Sequence, residues 1–248
     1  MTAATRPLLL EIGVEELPAG MQTHLVTGLR DAVPGALAEA DLTDGTSEAR
    51  VYATPRRLAV YVARVRERQP DREVEHRGPP VSAAFDDAGN PTKAATGFAG
   101  RFGVEADALE RRATDQGEYL FHTEHQEGRP AMAVLAEVLP RLITEMPVPK
   151  RMRWGDLEWG FARPVHWVLA LLGEEVVPFE VGGIRSDRFT RGHRYHAPDP
   201  VHLHEADEGG YTGLLRENFV VADADQRRDQ IAREIANQAK KADGRVPD

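Results

Sequence analysis

Cysteine is absent from the 248 residues, which excludes disulfides and thiolate metal sites. That absence fits a reducing, cytoplasmic setting. Aromatic residues are few, at 6%, so where they gather matters. Long apolar runs are also missing. The longest, Val165–Leu172, has the length of a strand and not of a bilayer span. The first residues lack the basic-then-apolar pattern of a secretory signal peptide. Phosphate-cradling motifs are missing: there is no Gly-x-x-x-x-Gly-Lys-Ser/Thr and no Gly-x-Gly-x-x-Gly, although Gly97, Gly100, Gly182, Gly183, Gly209 and Gly210 come close together in places. Ser47, Ser82 and Ser186 lack the Gly-x-Ser-x-Gly elbow. Positive charge is in deficit, with 31 Lys and Arg against 40 Asp and Glu, for a net charge of -9. Such a chain does not coat itself in nucleic acid, so any RNA contact must be local.

What is present is ordinary for a folded globular protein: 41% hydrophobic and 29% charged residues, enough to build a core without staples. Residues 8–14 read as an apolar strand. Met21, Leu25, Leu29 and Val33 recur at helical spacing after Pro18, and Pro34-Gly35 is expected to interrupt them. Residues 50–65 read as two strands around Thr54-Pro55-Arg56-Arg57, and the charged stretch 66–80 as a loop. A helix is expected from Pro91 to Phe102, a strand over 118–124, and a helix marked by Met132, Leu135, Leu139 and Leu142. Strands follow at 165–172, 176–181 and 190–196. Helices follow near 208–216 and 223–241, the last capped by Asp223 or Asp225 with Ile231 and Ile235 on one stripe. Strands and helices alternate without a regular βαβ rhythm, which predicts an α+β fold of mixed sheets with packed helices. Pro147-Val148-Pro149 stiffens the chain and predicts two subdomains, 1–147 and 148–248. The core of the first is expected to hold Leu8, Leu10, Ile12, Leu58, Val60 and Val62.

Chemistry concentrates between residues 150 and 196. Lys150-Arg151-Met152-Arg153-Trp154-Gly155 precedes Phe161-Ala162-Arg163-Pro164-Val165-His166-Trp167, and Arg191-Gly192-His193-Arg194-Tyr195-His196 closes the region. Cations beside flat rings suit a phosphate-bearing, base-bearing partner. Lys150, Arg151, Arg153, Arg191 and Arg194 are therefore the candidate RNA-binding residues, with Arg188 as a possible addition. The same cations could instead pair with Asp156, Glu158 and Glu180 while Trp154, Phe161 and Trp167 pack in the core. Glu11 interrupts an apolar strand. It reads either as an acid/base group or as a structural carboxylate that pairs with Arg56 or Arg57 or caps the helix at Pro18. His193, His196, His202 and His204 invite a metal reading, and hence a metal-dependent hydrolase. The irregular spacing and Pro198 and Pro200 favour structural or surface histidines. A protein-interaction module without RNA is a third reading.

Several stretches carry a family resemblance: Leu8-Leu-Leu-Glu11-Ile-Gly13-Val-Glu15-Glu16-Leu17-Pro18, Thr54-Pro55-Arg56-Arg57-Leu58-Ala59-Val60, Arg77-Gly78-Pro79-Pro80, Lys93-Ala-Ala-Thr96-Gly97-Phe98 and the block from Lys150 to Gly173. Together they span most of residues 8–196, and they resemble the β subunit of the bacterial heterotetrameric glycine–tRNA ligase. Tyr195, where the family pattern has Phe, and Ser186-Asp187-Arg188-Phe189 depart mildly from it. The resemblance implies an N-terminal portion of that subunit, with the family's HD-type and anticodon-binding domains lying downstream. It also implies an α2β2 assembly with a class II catalytic α subunit that uses ATP and Mg. This chain would then carry no catalytic residue, metal or cofactor of its own, and tRNA for glycine would be engaged mainly through the downstream domains.

Overall fold

A computed structural model describes residues 4–43, 45–154 and 159–246. The chain forms two compact units, residues 1–69 with 129–248, and residues 70–128. The first unit begins with β1 (Thr5–Val14), α1 (Ala19–Glu39), β2 (Ala49–Thr54) and β3 (Arg57–Arg66). The second holds β4 (Arg72–Pro80), α2 (Val81–Ala84), α3 (Lys93–Gly100), a 3₁₀ turn at Ala106–Ala108, β5 (Glu110–Thr114) and β6 (Gly117–Gln126). The first resumes with α4 (Ala131–Glu145), β7 (Met152–Arg153), β8 (Gly160–Phe161), β9 (Val165–Leu172), β10 (Glu175–Val176), β11 (Glu180–Val181), β12 (Ile184–Asp187), β13 (Phe189–Arg191), β14 (Pro200–His202), α5 (Glu208–Glu217) and α6 (Ala224–Lys241). The class is α+β, as the sequence predicts.

β1 lies inside the main sheet, whose order is β11-β12-β9-β1-β3-β2, with β10 also on β9. It pairs antiparallel with β3, from Leu8↔Val62 to Gly13↔Arg57, and with β9, from Leu8↔Leu172 to Val14↔Val165. Leu8, Leu10, Ile12 and Val14 turn to one face. There they pack with Leu58, Val60 and Val62 against Leu25, Leu29 and Val33 of α1 and Leu135, Leu139 and Ile143 of α4. Leu9 turns to the other face with Ala59, Leu169, Leu171, Tyr211 and Leu215. Covering both faces explains why β1 and β9 read as near-continuous apolar runs and not as alternating ones.

The compact units part at 69/70 and 128/129, not at the proline pair expected to divide the chain. Pro147 and Pro149 follow the end of α4, where Met146 is buried in the core. Beyond them β9 returns to pair along β1 from Leu8 to Val14, and this long-range ladder outweighs the local stiffening. Other elements also differ from expectation. α1 continues through Pro34 to Glu39 because Val33 and Leu37 both bury on the same stripe. Residues 72–80 form a strand, since Val74 and His76 alternate inward while charged neighbours face out; one polar member hid the period of two. The strand expected over 176–181 is split at Pro178 into β10 and β11. That over 190–196 stops at Arg191, where His193 donates its amide to the Asn218 carbonyl at 2.9 Å and Ala197 closes a turn back onto the His193 carbonyl at 2.8 Å.

The second unit is a β4-β6-β5 antiparallel sheet whose Leu120, on β6, packs with Ala84, Ala95, Phe98 and Ala99 of the helices. Thr92 caps α3 by accepting from the Ala94 amide at 3.2 Å. The Phe98 ring lies 2.6 Å from where a Cβ on Gly78 would stand, which accounts for glycine in Arg77-Gly78-Pro79-Pro80.

Candidate functional site

Gly13 is where the site begins. Its partners across the ladder are Arg57 on β3 and Trp167 on β9. The Trp167 indole lies flat on the glycine, and a Cβ there would fall 1.9 Å from the ring. Two residues earlier on the same face, Glu11 is fully buried. Its Oε1 accepts from Trp167 Nε1 at 2.6 Å and from the Thr190 hydroxyl at 2.7 Å. Its Oε2 accepts from the Tyr211 hydroxyl at 2.5 Å, with Arg57 Nη1 farther off at 3.5 Å. Arg57, only 2% exposed, also donates to Thr190 Oγ1 at 3.1 Å and to the Arg191 carbonyl. Burial, then the Glu11 charge, pushes the Tyr211 phenol well above its ordinary pKa, so it stays a donor. The network ties β1, β3, β9, β13 and α5 together. Glu11 is thus the structural carboxylate paired with Arg57, one of the readings its sequence position allowed.

Above this network opens a basic cleft. One cavity of about 320 Å³ is lined by Arg56, His166, Trp167, Arg191, Gly192 and Arg194. Another, of about 500 Å³, shares Arg56, Gly192 and Arg194 and adds Tyr195, Phe219 and Arg227. The Arg191 guanidinium lies 5.9 Å from the Trp167 ring centroid, within cation–π range. Arg194 pairs with Glu15 at 3.5 Å and Glu16 at 3.1 Å. His166 Nε2 is 2.8 Å from the other Glu15 oxygen. The His166 hydrogen bond, helped by the charges of Arg56 and Arg194, holds the Glu15 carboxyl below its ordinary pKa.

The structure divides the five candidate RNA-binding cations. Arg191 and Arg194 line the cleft. Arg151 instead donates to the carbonyls of Thr144, Met146 and Gly160, closing the end of α4. Lys150 and Arg153 are exposed on the same segment. Arg188 donates to the carbonyls of His204 and Glu174. Glu180 pairs with Arg185, while Gly155, Asp156 and Glu158 lie outside the described residues. Phe161 and Trp167 are buried, and Trp154 packs partly against the core. The histidines of the metal reading stand in ring contact with one another. His193 packs on His196 with centroids 4.6 Å apart, and His202 on His204 at 4.5 Å. Among the described residues no group of three or more His, Asp or Glu is placed to hold a metal ion.

Sequence reasoning missed Thr190, Tyr211 and Phe219, and saw Arg56 only as a partner for Glu11. Tyr211 carried a signal, the four-residue spacing to Leu215 after two glycines. Among the described residues no helix is long and apolar enough to cross a membrane.

Residues 8–248 match the family model described as glycyl-tRNA synthetase beta subunit. The chain is similar to the glycine–tRNA ligase beta subunit of Chromohalobacter salexigens, at 44% identity over 96% of this chain. Those of Syntrophotalea carbinolica and Moorella thermoacetica are 43% and 41% identical, over 96% and 97%. The chain spans about a third of these relatives' length, 34% in each case. Glu11, Arg57, Trp167 and Arg191 all fall within the matched span, and the chain belongs to the glycyl-tRNA synthetase beta subunit family.

Proposed function

We propose that this chain is the N-terminal part of a glycine–tRNA ligase β subunit and works as a scaffold. It supports tRNA engagement and assembly with a catalytic α subunit, in an α2β2 cytoplasmic enzyme that attaches glycine to tRNA. ATP and Mg serve the α subunit. The observation that carries this reading is the family match over residues 8–248. A basic cleft on a chain of net charge -9 supports a local contact with RNA phosphates. Arg191 and Arg194 stand in that cleft, and Lys150, Arg151 and Arg153 are the further cations proposed for tRNA.

The chain alone should give no glycine-dependent ATP–pyrophosphate exchange; a signal from a preparation free of α refutes the scaffold reading. In the assembled enzyme, neutralising Lys150 and Arg153 should weaken tRNA binding and lower the log–log salt slope by at most about 0.9 per lost phosphate contact. Unchanged affinity and slope would remove those two residues from the RNA contact. Arg151 is kept out of that variant because its three carbonyl bonds make it structural as well.

A further inference from the structure

We infer that the double cleft seats one unpaired RNA nucleotide, with its phosphate against Arg56 and Arg191 and its base on a shelf formed by Tyr195 and Phe219. This rests on the tRNA reading proposed above and deepens it.

Charge sets the phosphate side. Arg57 is locked into the Glu11 network, Arg194 is matched by Glu15 and Glu16, and His166 is bonded to Glu15. Arg56, whose charge reaches Glu15 without a hydrogen bond to it, and Arg191 remain. The buried Nε of Arg56 has no hydrogen-bond partner, and among the described residues neither guanidinium forms an ion pair within 4 Å. Arg191 touches only the face of Trp167 among the rings. Two guanidiniums on the wall of one cavity, with donors uncommitted, fit an oxyanion with several acceptor oxygens. The backbone beneath Arg191 is held by Arg57, so the cation is positioned before any ligand arrives.

Exposure marks the base side. Tyr195 and Phe219, at 74% and 63%, are the most exposed large hydrophobic residues described. Both line the cavity that shares Arg56 with the first. Phe219 has a backbone φ of 61°, the left-handed region that a residue following a helix normally fills with glycine. That conformation closes α5, with the Val220 amide donating to the Leu215 carbonyl at 2.8 Å and the Phe219 amide to the Arg216 carbonyl at 3.1 Å, but a backbone cap needs no aromatic side chain, and phenylalanine in place of glycine leaves a ring in water. This suits a ring kept available for stacking, with His196 at 5.4 Å as its only described ring neighbour. An anion seat adjoining a π shelf matches a nucleotide whose base is free. A base-paired duplex offers the phosphate but not the ring face.

The test uses the assembled enzyme with full-length β and a fluorescent tRNA transcript for glycine, with anisotropy measured over a salt series. Arg56→Gln with Arg191→Gln should reduce the magnitude of the salt slope by about 0.7, the value for one phosphate of a single strand. Phe219→Gly should weaken binding about tenfold with the slope unchanged. It should not lower the melting temperature, because glycine relieves the backbone. Tyr195→Ala should act in the same direction. Normal tRNA binding by the wild type, with neither slope nor affinity altered in the variants, overturns the nucleotide site and leaves the tRNA reading standing. No tRNA binding by the wild type overturns both. Weakened α association in Phe219→Gly, with RNA affinity intact, assigns the shelf to a protein contact and overturns the site.

Discussion

Glu11 and Arg57 are the buried charged side chains among the described residues, and they balance one another only loosely, at 3.5 Å. The carboxylate relies instead on neutral donors from Trp167, Thr190 and Tyr211, and the guanidinium on Thr190 and a carbonyl. Removing the negative charge leaves Arg57 buried without its counter-ion. Glu11→Gln should therefore lose about 3–5 kcal/mol in urea unfolding, and Arg57→Met added to it should recover part of the loss. Trp167→Ala removes both the ring on Gly13 and a donor to Glu11, and should cost about 3–5 kcal/mol by the same measurement. Glu15 gives a pH signature. Its pKa in the folded protein lies below the ordinary 4.5, chiefly through the His166 hydrogen bond. The unfolded chain thus takes up the proton first as pH falls. The stabilisation is complete above about pH 4.5 and fades as pH drops through the folded value. Glu15→Gln should flatten the acid side of a melting-temperature profile; an unaltered profile would contradict the His166 pairing. The pairing of Glu11 with an arginine from Thr54-Pro55-Arg56-Arg57 was readable, since a carboxylate inside an apolar strand needs a counter-charge. Thr190 was not, because a hydroxyl gives no sign in sequence of whether it is buried, and the spacing of Tyr211 to Leu215 marked a buried face without showing that its hydroxyl meets Glu11.

The long elements were legible from their periods. β9 spans the apolar run Val165–Leu172, and Leu25, Leu29 and Val33 of α1 bury where helical spacing puts them. The shortest strands escaped notice, since β7 and β8, of 2 residues each, carry no measurable period and exist only through their partners, and the break between β10 and β11 inside 176–181 was equally silent. α6 stands apart. Asp223 caps it, accepting from the Asp225 and Gln226 amides at 2.9 Å, as its sequence suggests. Yet no described residue of α6 is buried, and Ile231 and Ile235 are 50% and 48% exposed. Its stability comes from the cap, from Arg228–Asp225 and from Arg227 donating to the Val221 carbonyl at 2.6 Å. Replacing Ile231 and Ile235 together by Lys should thus shift the unfolding free energy of this chain by no more than about 0.5 kcal/mol. A loss of several kcal/mol would show that the stripe is packed.

For the whole chain, the second unit is an insertion. Gln69 donates its amide to the Arg129 carbonyl at 3.0 Å, and Ala131 donates to the Glu67 carbonyl at 2.8 Å, so the ends of the gap are stitched together within the first unit. Replacing residues 70–128 by a short glycine linker should leave the first unit folded, with one cooperative transition followed by tryptophan fluorescence. A broad, non-cooperative melt would count against it. The proline pair at 147 and 149 was the strongest local boundary signal, yet the chain parts elsewhere, because proline reports on its own backbone and not on which strands will pair. Composition and period alone decided the α+β class, the apolar faces of β1, β3 and β9, and the cations of Arg191 and Arg194 as a candidate contact. Tertiary structure decided the site. Glu11 meets Arg57 across 46 positions and Tyr211 across 200, contacts set by strand order and register that no local propensity encodes. The Arg57 bond to the Arg191 carbonyl brought Arg191 to the cavity wall it shares with Arg56, while local bonds left Arg151 to close a helix, a division that residue type could not make.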